Sequence, residues 1–245
     1  ITKGTPDIIV ANLDNGISLN HSDLGNGSDG YSNIWVNHKE IPDNGIDDDN
    51  NGYIDDYYGW NFGTFDINWG DNNVTHYMPD LYSHGSMTGS IIAAKTNNGN
   101  TNGILGAFGI AGGWGNRGVS LMNVKISSPN ENIQSANIPY AIEYACLNGA
   151  KVVNMAFGGG YSQAIDDEIG YHYGQGVVFV AAVGNNSSPG YILFPSSSEN
   201  VIAVGATEFV SWEARWHEKN SSLTWGSNYI DDNYGVEIMA PCSPI

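Results

Sequence analysis

Two polar side chains stand where short apolar runs end, a position from which a side chain can act on a ligand. Asp14 closes the run Ile9-Val10-Ala11-Asn12-Leu13, and Asn185 follows the run 177–183. Each has a glycine close by, in Asp14-Asn15-Gly16 and Val183-Gly184-Asn185, and glycine permits the sharp turn that aims a neighbouring side chain into a crevice. Either residue by itself can equally be a turn former. A third concentration of chemistry is acidic and spans 43–56. Within it Asp47-Asp48-Asp49-Asn50-Asn51-Gly52-Tyr53-Ile54-Asp55 fits the first nine positions of an EF-type loop: oxygen donors at one, three and five, glycine at six, an apolar residue at eight. The fit fails at the twelfth position, where Tyr58 replaces the bidentate glutamate and Asp55 or Asp56 is left to compensate. The expected ion is Ca2+, with Asp47, Asp49, Asn51 and Asp55 as side-chain ligands and the Tyr53 carbonyl beside them. A solvated acidic loop is the alternative.

The elements that must position these residues are legible as alternating patterns. Apolar, β-branched runs at 8–13, 119–126, 152–156, 177–183 and 201–204 are each bounded by Gly, Asn or Asp. Continuous runs of this length predict strands buried on both faces, the mark of a parallel sheet. Helix-like stretches lie between them at 85–95, 132–147 and 163–173, the second carrying Ile133, Ile138, Ile142 and Ala145 at helical spacing. Alternation of this kind predicts an α/β fold, a doubly wound and mostly parallel sheet flanked by helices, with its site at the carboxyl ends of the strands. Asp14 and Asn185 are expected on that edge. Segment 35–73 reads as an aromatic and acidic insertion, and 208–234 as a loop-rich stretch with Trp212, Trp216 and Trp225.

Bulk properties narrow the partners. With 245 residues, 41% of them hydrophobic, the chain can bury one sizeable core. The net charge of −18, from 26 acidic against 8 basic residues, argues against nucleic acid or an anionic membrane surface and suits a secreted, calcium-binding protein. No apolar run approaches the roughly 20 residues of a membrane span. Cys146 and Cys242 are too few for a disulfide framework, and their spacing leaves a bridge between them open. The chain begins almost directly on a strand-like run, so an export signal or pro-segment is expected to have been removed.

Taken in order, the motifs resemble the subtilase family of serine proteases. Leu13-Asp14-Asn15-Gly16-Ile17 with His21-Ser22-Asp23-Leu24 is similar to the family's Asp-Thr-Gly-Ile and His-Pro-Asp-Leu region, and His84-Gly85-Ser86 to its His-Gly-Thr block. Val152-Val153-Asn154-Met155-Ala156-Phe157-Gly158-Gly159 resembles Val-Ile-Asn-Met-Ser-Leu-Gly-Gly, and Ala181-Ala182-Val183-Gly184-Asn185 resembles Ala-Ala-Ala-Gly-Asn. Phe194-Pro195 before Asn200-Val201-Ile202-Ala203-Val204-Gly205-Ala206, and then Met239-Ala240-Pro241, complete six blocks in family order. The resemblance implies His84 as general base, Asp14 as the carboxylate that orients it, and Asn185 as a donor to the oxyanion. It implies an extended polypeptide substrate beside a pocket walled by Ala156, Phe157 and Gly158 and by 181–184, with Ala182 and Gly184 in contact. Phe157 stands where the family usually has Leu, either lining that pocket or as plain core. A second calcium site at Asp23 and 97–102 is also implied.

The nucleophile of the family lies in a Gly-Thr-Ser-Met-Ala block, and this chain stops at Ala240-Pro241-Cys242-Ser243-Pro244-Ile245. Ser243 has no adjacent Gly-Thr and no following helix, so the serine is expected beyond residue 245, in the rest of a subtilisin-like catalytic domain of which 1–245 is the larger part. Met87, where the family has a second His, is a departure that leaves the role of His84 untouched, and Cys242, where it has Gly, is another, close to the expected active-site edge. Two functions follow: a secreted or cell-surface serine endopeptidase, and an inactive module of the same fold used for binding or assembly.

Overall fold

A computed structural model describes residues 3–25, 31–64, 70–76, 83–96, 108–128, 132–210, 213–216, 226–229 and 236–241. The fold is α/β, a mostly parallel sheet flanked by helices, and the chain divides into two compact units, Ile1–Val153 and Asn154–Ile245.

The first unit is built on strands β1 (Ile9–Asp14), β2 (Gly59–Asn61), β3 (Ser120–Lys125) and β4 (Ala150–Met155), ordered β2-β3-β1-β4, with β4 running through the unit boundary. Parallel pairing sets Ile9 opposite Ser120 and Asp14 opposite Lys125, while Gly59 faces Asn123. All six residues of β3 and five of the six of β1 are buried, so these strands are covered on both faces. Helix α1 (His84–Ala93) buries Gly85, Gly89 and Ala93, a stripe at four-residue spacing that lets the helix approach the sheet closely. A Cβ at Gly89 would come within 2.9 Å of Leu121 Cδ2 and 3.3 Å of Ile17 Cδ1. Val10, Ile17, Leu24, Ile34, Val119 and Leu121 form the core beneath it. At the carboxyl end of α1 the buried Asn33 amide donates to the Ala93 and Gly112 carbonyls at 2.8 and 2.9 Å, and its oxygen accepts from Gly118 N–H at 2.9 Å. One side chain thus satisfies a helix end and two loops. Helix α2 (Ile138–Leu147), with Pro139 in its first turn, buries Ile138, Ala141, Ile142, Tyr144 and Ala145.

The second unit holds α3 (Gln163–Tyr173) and strands β5 (Val178–Ala182), β6 (Val201–Val210), β7 (Glu213–Trp216) and β8 (Ile238–Pro241). Strands β5 and β8 pair parallel to β6, and β7 pairs antiparallel to it. Ile165, Ile169 and His172 form the buried stripe of α3, and His172 Nε2 lies 2.9 Å from Glu168 one turn earlier.

The two segments expected to be irregular each contribute a strand. Segment 35–73 returns to the sheet as β2, and part of 208–234 forms the end of β6 and all of β7. No helix among the described residues is long and apolar enough to cross a membrane.

Candidate active site

In the first unit β1 delivers Asp14 to its carboxyl end, and the chain then turns through Asn15 and Gly16. Gly16 sits at φ +103°, and a Cβ there would fall 2.9 Å from the Thr75 carbonyl and the His76 nitrogen, so this turn requires glycine. His84 opens α1 directly after its N-cap Ser83, whose Oγ accepts from Ser86 N–H at 3.1 Å and donates to the Gly16 carbonyl at 3.1 Å. The helix start is further tied to the strand end from two sides. Gly85 N–H donates to Asn15 Oδ1 at 2.9 Å, and the Asn12 amide donates to the Gly85 carbonyl at 3.1 Å.

These ties place His84 Nδ1 2.8 and 2.9 Å from the two Asp14 carboxylate oxygens. The carboxylate also accepts from Asn15 N–H at 2.7 Å and from the Thr88 hydroxyl at 2.9 Å. Because the carboxylate only accepts, the ring carries its proton on Nδ1 and can exchange one at Nε2. Burial divides the pair: the Asp14 side chain is 7% exposed and that of His84 48%. A buried acceptor that fixes a half-exposed imidazole by one nitrogen is the arrangement a general base needs. Sequence reading located both residues but missed Thr88, which follows His84 by one helical turn and so returns to the same face.

In the second unit Asn185 lies three residues beyond β5, exposed, after Gly184 at φ +107°. The turn it belongs to is held by a residue without any motif of its own, Asn228. Its Oδ1 accepts from Asn186 and Ser188 N–H at 2.9 and 3.1 Å, its amide donates to the Val183 carbonyl at 3.1 Å, and its own N–H donates to the Gly184 carbonyl at 2.9 Å. A cleft of about 290 Å³ opens beside this turn, lined among others by Asn154, Ala156, Ala182, Gly184, Asn185 and Ser227. Ala156 and Phe157 are half-buried and Gly158 is exposed. Leu193 N–H donates to the Val183 carbonyl at 3.0 Å, and Gly159 and Phe194 exchange backbone hydrogen bonds at 2.8 and 3.2 Å. The segments 156–159 and 183–184 are thereby fastened to a common third strand-like piece.

The acidic loop of the first unit folds around its own carboxylates. Glu40, Asp47 and Asp49 bring one oxygen each within 4.8 Å of one another, the one such group of three acids among the described residues. Glu40 is buried, and burial raises its carboxyl above the usual range, with the neighbouring Asp56 and Asp49 charges adding to the push and the N–H groups of Asp49 and Asp48 opposing it. Asp47 accepts from Asn51 and Gly52 N–H at 3.0 and 2.8 Å, and Gly52 makes the sharp turn at φ +94°. Three carboxylates gathered this closely, with Lys39 Nζ 3.9 Å from Asp49 as their neighbouring cation, carry excess negative charge and fit a divalent cation such as Ca2+. Asn51 turns its oxygen to Tyr53 N–H at 2.8 Å and its amide to Asp56 at 3.1 Å. Asp55 departs from the expected ligand set: its oxygens accept from Asn44 and Gly45 N–H at 3.0 and 2.8 Å, and the backbone turn at Asp55, φ +55°, directs it there. Glu40 stands in the group instead, 15 residues before Asp55 and outside the loop pattern, which is why spacing missed it. Asp23 is buried, while 97–102, its expected partner segment, and Cys242 and Ser243 lie outside the described residues.

Known proteins resemble this chain. The model of the Subtilase family matches residues 5–244. A thermophilic serine proteinase of Bacillus sp. (strain AK1) is 37% identical over 130 residues, 53% of this chain and 30% of that protein. Subtilisin DY of Bacillus licheniformis is 34% identical over 136 residues, 54% of this chain and 46% of its own length. Among solved structures, Sphericase matches 98% of this chain and 67% of its own with a TM-score of 0.63 at 24% identity. The chain thus spans between about a third and a half of the length of these two curated relatives.

Proposed function

Because this chain belongs to the subtilase family, we propose that it supplies the base, its orienting carboxylate and an oxyanion donor to a serine endopeptidase whose nucleophile lies beyond residue 245. The observation that carries the reading is the contact of His84 Nδ1 with both Asp14 oxygens at 2.8 and 2.9 Å. A serine hydroxyl becomes a competent nucleophile when a neutral imidazole takes its proton as it attacks. His84 takes that proton at Nε2 and returns it to the leaving amine, while Asp14 keeps the ring in the Nδ1–H tautomer and steadies the imidazolium that forms. The Asn185 side-chain amide donates to the oxygen of the tetrahedral intermediate, a charge that exists only during reaction. A polypeptide substrate lies extended along Ala156, Phe157 and Gly158 on one side and Ala182 and Gly184 on the other.

Ca2+ belongs in this reading as a structural ion. Glu40, Asp47 and Asp49 would hold it, with Asn51 Oδ1 and the Tyr53 carbonyl as the neutral donors and Asp55 shaping the loop from outside. Bound there, the ion would neutralise the mutual repulsion of these carboxylates. An acidic cluster suited to Ca2+ and a charge of −18 together support a secreted or cell-surface location.

The test is labelling of the full-length protein with a serine-directed fluorophosphonate, with the adduct mapped by mass spectrometry. An adduct on a serine downstream of residue 245, lost in His84→Ala, is the expected result. A folded, calcium-loaded sample that takes no label would overturn the enzyme and leave the inactive binding module.

A further inference from the structure

The two walls proposed to flank the substrate converge on one side chain. A Cβ built on Gly158 would lie 2.7 Å from Leu193 Cβ and 2.9 Å from its Cδ1, and one built on Gly184 would lie 2.8 Å from Leu193 Cδ1 and 2.9 Å from its Cγ. The isobutyl group of Leu193 therefore fills the slot between two glycines, which is where a pocket would otherwise open. Its backbone cannot easily withdraw. Leu193 N–H is bonded to the Val183 carbonyl, its carbonyl accepts from the Ser196 hydroxyl, and the next residue, Phe194, exchanges two hydrogen bonds with Gly159. Phe194 is itself buried and packs edge-on against Tyr161 at 5.2 Å between ring centroids.

We infer that Leu193 closes the primary side-chain pocket, so that the enzyme cleaves after small residues such as Ala, Gly or Ser and rejects aromatic and long aliphatic ones. This rests on the reading of the chain as an endopeptidase. The glycines at 158 and 184 still let an extended substrate backbone approach both walls, because neither presents a side chain of its own. Depth, and with it the choice of side chain, is set by Leu193: a methyl group clears the slot, while a phenyl ring must occupy the volume the isobutyl group already holds.

Full-length protein and a set of peptide amides that differ only in the residue before the scissile bond decide the matter. For the wild type kcat/KM is expected to be at least about tenfold higher with Ala than with Phe at that position. Leu193→Gly is expected to move that ratio toward Phe by about tenfold or more, and Leu193→Ala by less. A wild type that cleaves the Phe peptide as well as the Ala peptide overturns the inference, whether or not the variants fold, and leaves the endopeptidase reading standing. Absence of both cleavage and fluorophosphonate labelling overturns the endopeptidase reading and the inference with it.

Discussion

Gly85→Ala sets two physical effects against each other. Alanine is the better helix former by up to about 1 kcal/mol, so propensity alone makes the variant more stable. The structure says otherwise, because a Cβ at residue 85 would lie 2.3 Å from the Gly16 carbonyl oxygen and 3.0 Å from Asp14 Cβ. A carbon and a carbonyl oxygen come no closer than about 3.3 Å in ordinary contact, so the start of α1 must retreat from the end of β1 by about 1 Å. His84 stands one residue before this methyl group. The same retreat lengthens its 2.8 and 2.9 Å contacts with Asp14 to nearly 4 Å, beyond hydrogen-bonding range. A misplacement of about 1 Å in a catalytic group costs on the order of 100-fold in rate, or about 2.7 kcal/mol of transition-state stabilisation. Full-length Gly85→Ala protein, assayed for kcat/KM on a peptide it cleaves and melted in parallel, should lose about that factor and melt below the wild type. Activity within threefold of wild type at an unchanged melting temperature would refute the claim that this contact sets the spacing of the pair.

Gly170→Ala in α3 is the matching control, since its Cβ would meet only Asn200 Nδ2 at 3.7 Å; denaturant titration should show a gain of about 0.5 to 1 kcal/mol with turnover unchanged. Lys125 governs a pH window. Burial lowers its ammonium group from 10.5 to about 8, the Asp71 charge opposing, so between these values the unfolded chain holds a proton that the folded one has released and stability rises with pH. The contribution is on the order of 2 kcal/mol between pH 7.5 and 10, and the difference in unfolding free energy between those values should shrink accordingly in Lys125→Met; an unchanged difference would dismiss the burial argument. For the acidic loop, Ca2+ at 100 times its dissociation constant should stabilise the wild type by about 2.7 kcal/mol. Glu40→Gln should raise the concentration giving half that effect by about tenfold or more, because one ligand charge is lost, and thermal melts across a calcium series read both values.

Most of the sheet was legible because its strands are buried on both faces and so carry continuous apolar runs. The run at 8–13 became β1 and that at 119–126 became β3, within a residue at each end, and the bounds expected for α3 are those observed. What escaped was structure made by pairing. Strand β2 is three residues long, Gly-Trp-Asn, and owes its extension to β3 beside it. Strand β6 runs to Val210 where apolar content predicted an end at Val204, since β8 pairs with Val204–Thr207 and β7 with Thr207–Val210. The candidate residues divide in the same way. Asp14, His84 and Asn185 stand in local motifs, whereas Glu40, Leu193 and Asn228 become relevant only through neighbours brought close by the fold.

Asn228 also bears on the order of events during synthesis. The turn that carries Asn185 takes its hydrogen bonds from a side chain 42 residues further along relative to Asn186, and 40 relative to Ser188. A ribosome delivers this turn well before the residue that mounts it, and closing so long a loop costs entropy that no local contact returns. Until Asn228 has left the ribosome, the donor proposed at Asn185 has nothing to mount it.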